Sequence, residues 1–393
     1  MRIVELCVYL VNLPLKREIK HASHTRRESA NLLVRCRLTD GTEGWGEGVP
    51  RPYVTGETPE GALAQLRSTR VIDQLDCDCG GWGDVLGLCE RFRPAVDEED
   101  PRQCRSNALR CAVELSVLDA YGRLFEEPLS AVTQQYGPAK ELRSSKPTVR
   151  YSGAVMAEGA VAERISALKM RAYGFAHCKV KVGVAGADDP KRLRTIRRWI
   201  GPRMDLRIDA NAAFRPSDAV AKIEPLLACR VSSVEQPLAH GHLAAMPELR
   251  RRLPAPMMLD ESLTSMVDAE EAVRLGACDL FNIRLSKCGG FLASLRLAAF
   301  ARNAGIGFQL GCHPGESGIL SAAGRHWACT VAPIRYLEGS YDRHVLRTRL
   351  TREDITFGYG GRARALGGPG LGVTVCPEIL ERFVVKKQTY RLG

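Results

Sequence analysis

Six polar or charged residues recur along the middle of this chain at a nearly constant interval. In order they are Lys181, Asp209, Glu235, Asp260, Lys287 and His313, separated by 28, 26, 25, 27 and 26 residues. Three converging carboxylates can supply oxygen ligands to a divalent cation, and an all-oxygen set without thiolates or histidines favours Mg²⁺ over Zn²⁺. The lysines come before and after the carboxylates. The pattern therefore predicts a magnesium site with a base on each side.

The two lysines suit proton transfer next to such a cation. A lysine ordinarily titrates near about 10.4, so it must be buried or placed beside other cations before it can act as a base at neutral pH. Lys179 lies two residues before Lys181 on one predicted strand, so we expect both to point inward and Lys179 to lower the pKa of Lys181. Lys287 should face Lys181 across the cavity. One amine would remove the proton α to a bound carboxylate, the metal would stabilise the enediolate, and the other amine would return a proton from the opposite side.

The interval itself predicts the elements that position these residues. A strand of about five residues, a helix of about twelve and two short loops add up to one βα unit. In a (β/α) barrel the carboxyl ends of all strands face one mouth, where catalytic side chains gather. The predicted strands span 149–155, 178–182, 206–211, 231–236, 256–261, 280–285, 306–311 and 334–339, and Glu338 follows His313 by 25 residues.

The N-terminal part has a different pattern. Residues 2–49 alternate as antiparallel strands do, and Asp40-Gly41 predicts a hairpin turn between 30–38 and 43–48. Polar stretches at 16–28 and 49–58 are predicted loops. An amphipathic helix is predicted over 105–125, a linker over 134–147, and a final strand over 383–390 that docks back on the first domain.

Charge and cysteine usage narrow the class of protein. The chain has 393 residues and a formal charge of +11, yet the basic residues are dispersed, as in Arg192, Arg194, Arg197 and Arg198 on one predicted helix. No aromatic-interleaved basic stretch accompanies them, so we expect a solvated helix face and no nucleic-acid partner. A second interpretation is a positive field that attracts a carboxylate substrate.

The fourteen cysteines are scattered, and the Cys77-x-Cys79 pair has no matching second pair. Such thiols are typical of a reduced protein rather than of a metal site. The N-terminus runs directly into a strand-like pattern, and no apolar run approaches the roughly 18 residues of a membrane helix. We expect a cytoplasmic homo-oligomer with a small carboxylate as substrate and without a membrane partner.

Five segments together resemble the enolase superfamily, in its mandelate racemase/muconate lactonizing enzyme family and specifically in the muconate-lactonizing and dipeptide-epimerase branch. They are Lys179-Val180-Lys181-Val182-Gly183, Asp209-Ala210-Asn211, Glu235-Gln236-Pro237, Leu259-Asp260-Glu261-Ser262 and Asn282-Ile283-Arg284-Leu285-Ser286-Lys287-Cys288-Gly289-Gly290. The resemblance implies an α/β protein, a modified (β/α)₇β TIM-like barrel with an N-terminal α+β capping domain. The implied divisions are 1–140 for the cap, 141–365 for the barrel and 366–393 for a C-terminal segment that packs back on the cap.

The resemblance also implies residue roles. Asp209, Glu235 and Asp260 would bind Mg²⁺, Lys181 and Lys287 would be the acid/base pair, and Lys179 would assist Lys181. Asn211 and Glu261 would lie around the metal ligands. The segments 16–28 and 49–58 would be substrate-selecting lids, which brings His21, His24 and Tyr53 into the candidate set.

The chain departs from these relatives at the last two barrel strands. The seventh gives His313-Pro314-Gly315-Glu316-Ser317, where His313 and Glu316 are either substrate contacts or loop-stabilising and capping residues. The eighth gives Glu338-Gly339-Ser340 and lacks the Asp-x-Asp by which dipeptide epimerases hold a substrate ammonium, so a dipeptide substrate is not favoured.

Three functions therefore stand at this point. The first is a Mg²⁺-dependent racemase or epimerase of an amino-acid derivative. The second uses the same site for muconate-type cycloisomerisation or for dehydration of an acid. The third is a non-catalytic anion-binding or structural barrel. The filled set of acid, base and metal positions favours the first two.

Overall fold

The computed structural model of the protein describes residues 1–20, 25–96, 99–155 and 159–392, and it begins with an antiparallel sheet. The first three strands are β1 (Ile3–Lys20), β2 (Thr25–Leu38) and β3 (Glu43–Gly48). The predicted hairpin is confirmed: β2 pairs with β3, and Gly41 in the turn has a φ of 89°.

The predicted loop over 16–28 is wrong for its described residues, 16–20 and 25–28, whereas 21–24 lie outside the described residues. β1 continues through Lys20 and β2 begins at Thr25, with Ile19 paired to Arg26. Residues 16–18 and 27–28 are exposed, and Ile19 and Arg26 are partly buried. With so few buried positions the sequence lacks the apolar alternation by which a strand is recognised.

Six helices follow in the N-terminal part: α1 (Pro52–Thr55), α2 (Pro59–Ser68), α3 (Val71–Leu75), α4 (Trp82–Arg91), α5 (Asn107–Leu124) and α6 (Ala131–Gln135). The predicted loop over 49–58 therefore contains one helical turn. The predicted linker over 134–147 contains a 3-10 helix, Gly137–Leu142.

Strand β3 lies directly on the backbone of α5. A Cβ atom built on Gly46 would stand 2.0 Å from the Ala112 carbonyl oxygen, and one on Gly48 would stand 1.9 Å from that of Ala108. Only glycine permits this approach. The alternate glycines of β3 and the small residues spaced four apart on α5 therefore bring the sheet and the helix into contact.

A parallel sheet then alternates with helices. After β4 (Thr148–Arg150), its elements are β5 (Gly153–Val155), α7 (Ala160–Ala172), β6 (His177–Lys181), α8 (Asp189–Ile200), β7 (Asp205–Asp209), α9 (Ala219–Leu227), β8 (Val231–Glu235), α10 (Met246–Arg252), β9 (Met257–Leu259), α11 (Met266–Leu275), β10 (Leu280–Ile283), α12 (Phe291–Asn303), β11 (Gly307–Leu310) and α13 (Gly318–Thr330). The seven strands from β5 to β11 form one curled sheet in chain order. The predicted βα repeat is confirmed.

Two predicted barrel strands differ from the structure. The run 149–155 is split, because β4 pairs with a later strand and only β5 pairs with β6. The run 334–339 forms a single bridge, between Leu337 and Leu310. It still closes the barrel, since Glu338 N donates to Leu310 O at 2.8 Å and Ser152 N donates to Leu337 O at 2.8 Å.

The remaining elements are α14 (Asp342–Val345), β12 (Arg362–Arg364), α15 (Pro377–Leu380) and β13 (Val384–Arg391). β12 pairs with β4, and β13 pairs antiparallel with β1. Among the residues that the structure describes, no helix combines the length and the apolar character that crossing a bilayer requires.

Two buried carboxylates join the N-terminal part to barrel helices. Glu114 on α5 accepts hydrogen bonds from the backbone N–H groups of Phe291 and Leu292, at 2.5 and 3.1 Å, where α12 begins. Glu47 on β3 accepts from Ser317 N at 2.9 Å and from Leu320 N at 3.0 Å, where α13 begins. Each carboxylate satisfies N–H groups that lack partners within the helix.

Candidate active site

The first three marker residues are aligned across neighbouring strands. Lys181 is paired with Asp209 between β6 and β7, and Asp209 is paired with Glu235 between β7 and β8. Asp260 follows the last residue of β9 directly. The equal spacing therefore brings one side chain from each of four consecutive strands to the same edge of the sheet.

The turns behind two of these strands have unusual backbone angles. Asn211 has a φ of 42° and Gln236 a φ of 38°, a region that residues other than glycine seldom adopt. Gln236 Oε1 accepts hydrogen bonds from Asp260 N at 2.8 Å and from Ser262 N at 3.1 Å. It thereby holds the loop that presents Asp260.

Lys179 lies among three carboxylates beneath the mouth. Its Nζ is 3.3 Å from Asp209 Oδ2, 3.3 Å from Glu235 Oε2 and 3.0 Å from Glu338 Oε1. Burial alone would lower the pKa of Lys179, but Glu235, Glu338 and Asp209 together raise it above its ordinary value. The Lys179 amine is therefore held as a cation.

Asp260 is held by two cations. Lys287 Nζ lies 2.9 Å from Asp260 Oδ1, and Arg284 Nη2 donates to Asp260 Oδ2 and lies 3.8 Å from Glu235. Burial would raise the pKa of Asp260, but Arg284 and Lys287 lower it below its ordinary value. Asp260 is thus ionised at neutral pH.

The three marker carboxylates fit a divalent cation by their chemistry. Within the described ranges no three His, Cys, Asp or Glu side chains form a group that could hold a metal ion. Lys179 pairs with Asp209 and Glu235, and Arg284 pairs with Asp260. Burial raises the pKa of Glu235, and Asp209, Glu338 and Asp260 raise it further against the opposing effect of Lys179. A small divalent cation would relieve this repulsion, and all its donors would be oxygen atoms.

The two predicted bases have different surroundings. Lys181 is half-buried, and none of the described residues hydrogen-bonds or ion-pairs with its amine. Burial lowers the pKa of Lys181, Asp209 opposes this effect, and Lys179 lowers it further. Lys287 is 1% exposed and donates to Asp260 O at 2.6 Å and Asn282 O at 2.8 Å besides the Asp260 carboxylate.

Sequence reasoning missed a polar layer just below the markers. Arg207 lies two residues before Asp209, is fully buried, and donates to Glu338 Oε1 at 2.8 Å and to Gln309. Lys179 occupies the same layer on the next strand. The signal was available, because Arg207 precedes its marker by the same two residues that separate Lys179 from Lys181. In a barrel, residues at that spacing point into the interior together.

Two asparagine side chains donate hydrogen bonds to carboxylates of the candidate site. Asn282 Nδ2 donates to Glu235 Oε1 at 2.7 Å, and Asn211 Nδ2 donates to Glu261 Oε1 at 3.2 Å. Asn282 and Arg284 lie in one of the segments that carry the family resemblance, but the sequence did not predict a site role for either residue. Asn211 N also donates to Asp209 Oδ1 at 3.0 Å, and Glu261 follows Asp260 in the chain.

The remaining candidates are distributed unevenly. His313 and Glu316 are buried in the loop after β11, and His313 N donates to Glu316 Oε1 at 2.5 Å. Tyr53 lies in α1, which forms part of the second predicted lid. His21 and His24 lie outside the described residues.

Comparison with known proteins identifies the family to which this chain is similar. Residues 160–379 match the family described as "Enolase C-terminal domain-like". The L-Lys-D/L-Arg epimerase of Methylococcus capsulatus is 33% identical over 95% of this chain and 99% of its own length. The N-succinyl-L-Arg/Lys racemase of Bacillus cereus is 24% identical, with all of both chains covered.

One of the similar solved structures contains magnesium and a dipeptide. The dipeptide epimerase of Enterococcus faecalis V583, crystallised with Mg and the dipeptide L-Leu-L-Tyr, is 25% identical to this chain. It superposes with a TM-score of 0.82, over 95% of this chain and all of that one. The fold of the present protein is therefore that of an enzyme barrel with a capping domain.

Proposed function

Since the chain belongs to the enolase C-terminal domain-like family, we propose that it is a magnesium-dependent racemase or epimerase of an amino-acid derivative. One observation supports this most: in strand order, three carboxylates lie between two buried or half-buried lysines. Lys181 ends β6, Asp209, Glu235 and Asp260 follow on the next three strands, and Lys287 comes after β10.

Asp209, Glu235 and Asp260 would hold the magnesium ion. When bound, the ion supplies positive charge that polarises a substrate carboxylate and stabilises the negative charge left after loss of the α-proton. Lys179 holds Asp209 and Glu235 in place, and Asn282 fixes one oxygen of Glu235. These contacts orient the donors before a cation arrives.

Lys181 is the stronger candidate for removing a proton in the resting enzyme. Its amine has no partner among the described residues, and its pKa is lowered. Lys287 donates three hydrogen bonds, and in our proposal it is the residue that returns a proton. In the reverse direction the roles exchange, as inversion at a single carbon requires.

The substrate would be a derivative with a blocked amino group. Glu338 is the acidic residue of the eighth strand segment, but its carboxylate already pairs with Lys179 and Arg207. It has little capacity left for a substrate ammonium. An N-acyl amino acid meets this condition, because its amide nitrogen has no charge.

The division of the chain also remains our proposal, with the cap over 1–140, the barrel over 141–365 and a returning segment over 366–393. The pairing of β13 with β1 supports the last of these. The homo-oligomeric state and the cytoplasmic location stay predictions.

Incubation in D₂O with Mg²⁺ tests the activity. Each N-acyl amino acid of a panel would be followed by NMR, and we expect deuterium at the α-carbon together with inversion for the correct class. Loss of water or ring closure would instead identify a dehydratase or a cycloisomerase built on the same lysines. If Lys181→Ala and Lys287→Ala each left exchange intact for both enantiomers of a substrate, the acid/base assignment would be wrong.

A further inference from the structure

The hairpin formed by β1 and β2 and the segment after β3 lie on the barrel loop that follows β11. Arg26 Nη2 donates to Pro314 O at 3.3 Å, and Asn31 Nδ2 donates to Gly315 O at 2.9 Å. Arg51, in the segment after β3, donates from Nη2 to Ser29 Oγ of β2 at 2.8 Å. We call Arg26, Arg51, His313 and Glu316 the roof cluster.

The roof cluster contains buried donors that lack partners. His313 is 3% exposed, and neither ring nitrogen has a hydrogen-bond partner among the described residues, Nδ1 lying 3.9 Å from Glu316 Oε1. Arg26 Nη1 and Arg51 Nε are also buried without a partner in the described part of the chain. Buried polar atoms are nearly always hydrogen-bonded, so several open positions at one place indicate a ligand.

The charge around these atoms indicates the sign of that ligand. Burial lowers the pKa of His313, and nearby positive charges lower it further. These charges belong to Arg284, Arg51, Lys287 and Arg26. Asp260 is already paired with two of them, Arg284 and Lys287.

The nearby carboxylates do not neutralise the other two cations. Glu47 accepts from Ser317, Leu320 and Asn31. Burial raises the pKa of Glu316 to about 8, so it is mostly uncharged at neutral pH. Arg26 and Arg51 thus have no ionised partner among the described residues.

We propose that Arg26 and His313 form a subsite for a second carboxylate of the substrate. This inference rests on the proposed function, and it narrows the substrate class to dianions. One carboxylate would bind at the magnesium site, and the other, at the end of an acyl or alkenyl chain, would bind in the roof cluster. Arg51 supplies positive charge from behind, since its Nη1 and Nη2 donors are used by Ala30 O, Pro50 O and Ser29 Oγ.

Binding measurements test the subsite without requiring turnover. Dissociation constants would be measured by calorimetry, with Mg²⁺ present, for N-acetylglycine and for N-malonyl-, N-succinyl- and N-glutarylglycine. We expect at least one of the three dianions to bind roughly 10- to 100-fold more tightly than N-acetylglycine, the range expected for hydrogen bonds to a charged group. cis,cis-Muconate forms a separate arm, and its tightest binding would identify an unsaturated diacid as the source of the second carboxylate.

Two neighbouring arginines provide a matched pair of variants. Arg26→Met should abolish the preference for dianions, and His313→Leu should reduce it. Arg27→Met should preserve it, because Arg27 is 84% exposed and pairs with Glu18 at 2.6 Å. The ratio of two dissociation constants within one preparation is unaffected by a partly unfolded fraction.

The outcomes separate the two proposals. Equal affinity for all four glycine derivatives and muconate, or an unchanged preference in Arg26→Met, would overturn the subsite while leaving the D₂O result to decide the activity. Absence of α-proton exchange with every substrate would overturn the activity alone. For a substrate that turns over, Arg26→Met should raise KM for the dianion and change kcat little.

Discussion

Lys181 and Lys287 flank the same three carboxylates but have opposite surroundings. Lys181 is half-buried and has no hydrogen-bond partner among the described residues. Lys287 is 1% exposed and donates to Asp260 twice and to the Asn282 carbonyl. Two residues of the same type, symmetric in strand order, therefore differ in their contacts. In our proposal the amine of Lys181 is available to accept a proton, whereas Lys287 also stabilises the site.

The largest expected effect is on proton exchange. Lys181→Met and Lys287→Met should each lower the rate of interconversion by roughly 10²- to 10⁴-fold, since each removes one acid/base group. Each variant should still exchange the α-proton of one enantiomer with D₂O. The enantiomer that exchanges in Lys181→Met should be the opposite of the one that exchanges in Lys287→Met. NMR of both pure enantiomers checks this. If both variants exchanged the α-proton of the same enantiomer, the two lysines would not act on opposite sides of the substrate.

The next largest expected effect is on the free energy of unfolding, and only the Lys287 variant should show it. Lys287→Met removes one of the two cations that hold the buried Asp260 carboxylate, together with the donor of three buried hydrogen bonds. It should lower the free energy of unfolding by about 3 kcal/mol. Lys181→Met removes no hydrogen bond and should change it by less than about 0.5 kcal/mol. Urea unfolding without added metal measures both. Equal losses would show that the difference in contacts has no energetic consequence.

Magnesium should distinguish the same two variants more weakly. At about 100 times its dissociation constant, Mg²⁺ should stabilise the wild type by roughly 2.7 kcal/mol. Lys181→Met should retain this gain, and Glu235→Gln should lose it. Lys287→Met should show less of it, because Asp260 is then held by Arg284 without Lys287. Urea unfolding with Mg²⁺ or with EDTA gives the difference. A full gain in Glu235→Gln would exclude that carboxylate as a ligand.

The smallest effect concerns pH. A lysine base works above its pKa, so the direction of reaction that uses Lys181 should gain rate as pH rises. It should level off below the range of an ordinary lysine, because the pKa of Lys181 is lowered. Lys179→Met removes one cause of that lowering and should shift this limb to higher pH, while the direction that uses Lys287 should not shift. Profiles of kcat/KM from each enantiomer test it, and a shift in both directions would show that Lys179 acts on both bases.

The sequence was informative where the chain repeats. The interval between Lys181, Asp209 and Glu235 predicted a βα unit, and the register of β6, β7 and β8 brings these residues to one edge because parallel strands of equal length end together. Arg207 follows the same rule one layer lower and was predictable. The run 334–339 was predicted to be a strand but forms only a single bridge, because the segment joins its neighbours through only a few hydrogen bonds.

The roof cluster could not be predicted in the same way. It depends on contacts between residues nearly 290 positions apart, such as Arg26 and Pro314, for which no local pattern exists. The part of β1 and β2 that contributes Arg26 was predicted to be a loop, because its sequence is polar and few of its residues are buried. In our proposal, substrate specificity therefore depends on the part of the chain whose sequence has the weakest periodicity.

The carboxylates of Glu47 and Glu114 have a consequence for engineering the protein. Each occupies the start of a barrel helix from a position in the first 114 residues. A barrel expressed without that part would expose the N–H groups at the start of α12 and α13, the second of which directly follows the loop with His313. Swapping caps between relatives to exchange specificity should therefore succeed only when the donor supplies an acid at both places.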